Sequence, residues 1–241
     1  MTKPFIGLAL GGGGARGAAH IGVLQELHDA DIQIGTIAGT SVGSIIGAMY
    51  AASDDPYWVE DHFRKFMKSS AFSGLRSRKM MDDRNPDSVL DQIAKKVKDH
   101  YVVMMGLNRE SIVKSGPLYD AINYLIPVEI FQELKIPMKV LATDIQSCED
   151  IIHESGNLIN ALVQSSSIPG FVEPAGDESE LSKKADFVIK PDTLGVHWSD
   201  FHQFDQLLEN GRSAARQSID SLKRLIDEKN SILYKLEQWF D

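Results

Sequence analysis

Cysteine is almost absent from this chain of 241 residues: Cys148 stands alone, so no disulfide can close within it. A reducing compartment is the natural setting, and the thiol reads as a partly buried structural group. Basic residues are also in short supply, 25 Lys and Arg against 34 Asp and Glu, for a net charge of -9. A nucleic-acid partner is thereby excluded, because phosphate binding needs a basic face. Bulk charge gives no attraction to anionic membranes either, so any peripheral lipid contact must come from a local apolar or basic patch. The longest uncharged stretch, Thr36 to Ser53, barely reaches spanning length and is loaded with Gly and Ser. It reads as a buried strand and helix rather than a membrane span. Met1 to Leu10 lacks the basic-then-apolar layout of a signal peptide, since Gly11 to Gly14 interrupt the apolar run. A cytoplasmic protein is expected, with any membrane contact at the inner face. Repeats and low-complexity tracts are missing as well.

What is present suits a globular protein: hydrophobic residues make up 43% of the chain and charged ones 24%. The length allows one well-packed domain and is too short for two, so residues 1–241 are read as one unit. Phe5 to Leu10 is a short apolar run ending in glycines, and Ala15 to Ala30 carries Ala18, Ile21, Val23, Leu24 and Leu27 at helical spacing. Ile34 to Ala38 is a second strand, and Val42 to Ala52 has the small and aliphatic residues of a buried helix. A parallel strand-helix-strand-helix unit follows. From Asp54 to about Ser115 the pattern loosens, with an amphipathic helix at Asp91 to His100, and this region is expected to be helical cover over the site. Further on come a helix at Leu118 to Leu125, a strand at Met138 to Asp144 forming a hairpin with Asp150 to Glu154, and a helix at Asn157 to Ser166. A late strand is expected at Ala185 to Ile189. Last comes a long helix from Phe204, whose stripe of Leu207, Leu208, Ala214, Ala215, Ile219, Leu222 and Leu225 should pack on the sheet.

Two motifs carry chemistry. Gly39-Thr40-Ser41-Val42-Gly43 is a G-x-S-x-G pentapeptide between a predicted strand and a predicted helix. A tight turn there pushes the serine hydroxyl outward, while the Val42 amide and the helix N-terminus point at a developing oxyanion. The bland reading is a glycine-flanked serine that caps a helix. The second motif, Gly11-Gly12-Gly13-Gly14-Ala15-Arg16-Gly17, follows the first strand and exposes unobstructed amides to a phosphate or an oxyanion. Gly12, Gly14 and Gly17 also satisfy G-x-G-x-x-G, but the acidic residue that a dinucleotide fold wants after its second strand is replaced by Ala38, Gly39 and Thr40. A nucleotide-binding protein is therefore the weaker alternative.

Together, Gly11 to Gly47 resembles the patatin-like phospholipase family. Ala142-Thr143-Asp144, Ser165-Ser166-Ser167-Ile168-Pro169-Gly170 and the stretch Ala185 to Arg212 resemble downstream segments of bacterial members. The resemblance implies a three-layer α/β/α fold with a mostly parallel central sheet, and a Ser–Asp dyad that needs no histidine, metal or cofactor. By position it implies Ser41 as nucleophile, Gly12, Gly13 and Gly14 as oxyanion-hole donors, and Arg16 as support for the loop. The implied activity is hydrolysis of a lipid acyl ester. Of the seven histidines, His20 lies nearest the glycine loop and is the one to test.

The family's catalytic aspartate sits in a D-G-G or D-G-A motif, which this sequence lacks. Only Ala175 to Lys184 separates Pro174 from Ala185, and ten residues cannot hold the strand, helix and further strand that a relative places there. Either residues of the natural protein are missing near 174–178, or the gene has lost the segment. The first is preferred, because deleting a core strand leaves apolar surface and backbone groups without partners. Asp177, the nearest acid, is followed by Glu178 instead of glycine, so the catalytic acid stays unassigned; Asp144 reads as the end of a strand. Without a base the alternative is a non-catalytic lipid- or acyl-binding protein.

Overall fold

The computed structural model describes residues 5–75, 115–143, 149–166 and 184–240. β1 (Phe5–Leu10) ends at the tetraglycine, one tight helical turn (Gly14–Gly17) leads into α1 (Ala18–Asp29), β2 (Gln33–Thr40) follows, and Ser41 opens α2 (Val42–Ser53). β1 and β2 pair in parallel from Phe5 opposite Gln33 to Leu10 opposite Gly39. β2 pairs in parallel with β3 (Met138–Thr143), and β4 (Asp150–His153) returns antiparallel with Asp150 opposite Thr143, the hairpin expected from sequence. The order β1-β2-β3-β4 makes both parallel steps run the same way, so right-handed crossovers place α1 and α2 on one face.

Strand alternation separates the two faces of this sheet. Leu10, Ile37, Met138, Val140 and Ala142 are buried beneath the helices. On the other face Phe5, Gly7, Ala9, Thr36, Lys139 and Thr143 are exposed, and Lys139 Nζ pairs with Glu154 Oε2 at 2.8 Å. The polar residues of β3 thus report its outward positions.

The covered face holds the main core. Ile21 and Leu24 from α1 meet Ile46 and Met49 from α2, Ile122 from α5 (Ser115–Leu125), and Leu158 and Leu162 from α6 (Leu158–Ser166). α3 (Pro56–Met67) and α4 (Ser70–Leu75) lie within the 54–115 stretch and place Val59, Phe63, Phe66 and Phe72 in the same core. The sequence reading did not single out α3, yet its start is well marked. Asp55 accepts from the amides of Tyr57 (2.9 Å) and Trp58 (3.1 Å), with Pro56 in the first turn. The expected helix at Asp91 to His100 falls outside the described residues.

α7 (Phe204–Phe240) packs chiefly on α1, with Leu207, Leu208, Ala215 and Leu222 buried. The stripe predicted to meet the sheet is thus absorbed mainly by a helix. Backbones touch where they cross: a Cβ on Gly22 would lie 2.8 Å from the Arg212 nitrogen, and one on Gly211 would lie 2.8 Å from the Ala19 carbonyl carbon. Below that crossing the buried Gln25 amide is satisfied on both sides, donating to Glu60 (2.7 Å) and accepting from Arg212 Nε (2.8 Å).

One expectation fails. Ala185 to Ile189 forms no strand among the described residues. Phe187 and Ile189 still rest against the cluster of Val23, Leu27 and Ile32, so their hydrophobicity is used through side chains alone. A strand needs a partner for its backbone groups, and the β-rich composition of this segment could not say whether one was at hand.

Candidate active site

Ser41 joins β2 to α2 with φ 51° and ψ -130°, a conformation that costs a non-glycine residue of order 1–3 kcal/mol. Steric fit explains why the turn is so tight. A Cβ on Gly39 would sit 2.6 Å from Ser44 Cα, and one on Gly43 would strike the carbonyl oxygens of Leu10 and Gly11. Both flanking positions therefore admit only glycine, and the turn is wedged between the end of β1 and the first turn of α2. Ser41 occupies the N-cap position of α2, but its side chain makes no capping bond. The bland reading of a helix-capping serine is not what the geometry displays.

The strain is countered by buried bonds. Ser41 N–H donates to Ser165 Oγ at 2.9 Å, and the Ser165 hydroxyl donates to the Leu141 carbonyl at 2.5 Å. On the other side Ser44 Oγ donates to the Ser41 carbonyl at 2.6 Å. Ser165 and Ser44 are 2% and 0% exposed, so water does not compete for these bonds. At about 0.5–1.5 kcal/mol net each, two such bonds are of the size needed to offset the turn's strain.

Opposite Ser41 lies the glycine loop. A Cβ on Gly12 would stand 3.3 Å from Ser41 Cβ, which measures how closely the two segments approach. Gly13 and Gly14 have φ 139° and 58°, and a side chain on Gly14 would run into the Trp198 carbonyl. That carbonyl accepts from the Ala15 amide at 2.6 Å, and Arg16 Nε donates to the Val196 carbonyl at 2.8 Å. Among the described residues the amides of Gly12, Gly13, Gly14 and Val42 donate to no protein acceptor. His20, half-buried on α1, donates Nε2–H to the Gly11 carbonyl at 2.9 Å. Its enclosure holds the imidazole pKa below the ordinary value, with the Gly11 bond pulling the other way.

The structure thus brings together Ser41, Val42, Gly12, Gly13, Gly14 and Arg16, while Asp144, Cys148 and Asp177 lie outside the described residues. It adds residues that sequence reasoning did not assign to the site. Val196 and Trp198 act through main-chain carbonyls, which leave no signature in sequence. Ser165 stood only as part of a resembling segment. No cluster of three or more potential metal ligands occurs among the described residues. A hydroxyl on a strained turn beside open amides is the equipment of acyl transfer.

Comparisons with known proteins agree with this reading of the fold. A family model described as patatin-like phospholipase matches residues 8–189. A patatin-like phospholipase domain-containing protein of Caenorhabditis elegans is 32% identical over 182 residues, spanning 75% of this chain and 12% of that protein. An uncharacterized NTE family protein of Mycobacterium tuberculosis is 29% identical over 173 residues, or 72% of this chain and 40% of the relative. The chain therefore spans well under half the length of these two relatives. Among solved structures, the ExoU-SpcU complex from the type III secretion system of Pseudomonas aeruginosa aligns with 93% of this chain and 52% of its own, at 15% identity and a TM-score of 0.45. The family match runs from β1 through the glycine loop and Ser41 to Ile189. The chain belongs to the patatin-like phospholipase family, and its described residues form a mostly parallel sheet flanked by helices.

Proposed function

We propose that this protein is a serine acyl-ester hydrolase acting on lipids, of the phospholipase A or lysophospholipase kind. The close approach of Gly12 to Ser41, on a loop whose Gly12, Gly13 and Gly14 amides have no main-chain acceptor among the described residues, is the observation that carries the reading. Ser41 Oγ attacks the ester carbonyl carbon and gives its proton to a carboxylate base. The amides of Gly12, Gly13, Gly14 and Val42 receive the oxyanion, and Arg16 holds the loop that presents them. Collapse of the tetrahedral intermediate breaks the ester C–O bond, the alcohol leaves with the proton, and water then hydrolyses the acyl-enzyme. The base is an aspartate in a Ser–Asp dyad to which no residue is assigned; Asp177 is the first aspartate after Pro174 but lacks the glycine that should follow it. No metal or cofactor enters the scheme. We read residues 1–241 as one hydrolase domain that works in the cytoplasm and meets its substrate peripherally at a membrane face. Among the described residues no helix is long and apolar enough to cross a membrane.

Replacing Ser41 by Ala should abolish labelling by a fluorophosphonate and lower turnover of a chromogenic acyl ester by roughly 10⁴-fold or more. Undiminished labelling would remove Ser41 from the mechanism. The lack of a D-G-G or D-G-A motif favours a second reading, a lipid- or acyl-binding protein without turnover. Loss of base assistance is worth roughly 10²–10⁴-fold, or about 3 to 5 kcal/mol of barrier. A protein that retains lipid yet is silent toward the fluorophosphonate at full length would establish the binder.

A further inference from the structure

The two backbone groups of Ser41 are not held equally. Its carbonyl accepts three donors: Ser44 Oγ (2.6 Å), the Ser44 amide (2.9 Å) and the Ile45 amide (3.2 Å). Its amide has one partner among the described residues, Ser165 Oγ at 2.9 Å. Ser165 comes from α6, 124 positions later in the chain, and its hydroxyl is itself tied to Leu141 on β3 at 2.5 Å. A hydroxyl has one proton. Here that proton goes to the Leu141 carbonyl, which can only accept, so the oxygen is left as acceptor for Ser41 N–H.

We propose that Ser165 is a positioning residue for Ser41: its hydroxyl bridges β3 to the Ser41 amide and so fixes the direction in which Ser41 Oγ points. The inference rests on the reading of Ser41 as nucleophile. Ser165 does not relay the reacting proton, because its own is committed to Leu141 while its oxygen accepts from the Ser41 amide, with Ser44 Oγ beside it at 3.5 Å. Its action is geometric. Removing the hydroxyl leaves the Ser41 amide without its partner at a residue with φ 51°, while the Leu141 carbonyl keeps only the longer contact from Thr40 Oγ1 at 3.5 Å, and the turn relieves the unmatched donor by rotating. Removing the Ser44 hydroxyl leaves the Ser41 carbonyl with two amide donors, so the turn is still anchored on that side.

Ser165→Ala is expected to reduce the rate of fluorophosphonate labelling and kcat for a chromogenic ester by roughly 10- to 100-fold, the scale of a misplacement near 1 Å, with KM within about 2-fold. Ser165→Thr, which keeps the hydroxyl, should recover most of that rate, and Ser44→Ala should cost less than Ser165→Ala. Hydrogen exchange at the Ser41 amide, followed by NMR, reads the bridge without any activity, and should accelerate in Ser165→Ala but not in Ser165→Thr. Should Ser165→Ala fail to fold, Ser165→Cys supplies the same comparison with a weaker acceptor of similar shape. Unchanged exchange at Ser41 overturns the bridge. Faster exchange with an unchanged labelling rate overturns the positioning role. A wild-type protein that takes up no fluorophosphonate defeats the hydrolase reading and the catalytic consequence with it, while the exchange measurement still decides whether Ser165 holds the amide.

Discussion

The Ser41 turn and the glycine loop approach each other closely at Gly12, and both are made chiefly of main chain, yet they are held by different means. The turn is locked by volume: glycines at 39 and 43 admit no side chain, and two serines that are essentially out of water hold its amide and carbonyl. The loop has one such close contact, Gly14 against the Trp198 carbonyl, and is otherwise held by bonds to a distant, half-exposed segment, the Val196 and Trp198 carbonyls, and by His20 from the helix it leads into. A wall fixed by close contact tolerates almost no change in shape. One fixed mainly by hydrogen bonds has more room to adjust.

The largest expected effect of testing this difference is on the turn. Gly43→Ala drives a Cβ onto the carbonyl oxygens at the end of β1, and overpacking of this kind costs about 1–3 kcal/mol or more. Thermal unfolding should begin several degrees earlier and ester turnover should vanish with the elbow. A variant of wild-type Tm would mean that the turn is not wedged as described. On the loop side Arg16→Met removes the bond to Val196 while keeping much of the side-chain length. Here the expected cost in stability is only about 1 kcal/mol, with a drop in kcat of roughly 10-fold as the amides lose their alignment. Arg16→Lys should not restore it, because an ammonium cannot reproduce the Nε geometry. Equal losses of stability in the Gly43 and Arg16 variants would erase the distinction between the two walls.

The smallest effect is on pH dependence. His20 has a lowered pKa in the folded protein, from burial, against about 6.5 for an ordinary histidine, so folding favours the neutral ring. Its contribution to stability is intact above the unfolded value and is lost as the pH falls below about 6.5. The urea midpoint of the wild type should fall more between pH 7 and 5.5 than that of His20→Gln, which keeps a donor for Gly11 and does not titrate. Parallel curves would show that His20 makes no such contribution.

Much of this architecture was legible because it is periodic or punctuated. The runs of β1 and β2, the glycines after them and the helical spacing of Ile21, Leu24 and Leu27 are local properties, and they led directly to the parallel unit and to the approach of Ser41 and the tetraglycine. The β3–β4 hairpin was legible for the same reason. Ala185 to Ile189 shows where such reading stops, since its residues have the character of a strand and the described fold offers its backbone no ladder. α3 is legible by the same signs, since Asp55 and Pro56 mark its start and Val59, Phe63 and Phe66 recur at helical spacing among charged residues.

By itself the amino-acid sequence determined which residues could form the elements, where the chain had to turn, and that a serine would sit on one of those turns beside a glycine-rich loop. Only the tertiary structure decided what holds that serine and that loop. Their anchors are Ser165, 124 positions away, and the carbonyls of Val196 and Trp198. A main-chain acceptor is the same atom in every residue, and a buried hydroxyl takes its meaning from what folding brings within about 3 Å of it.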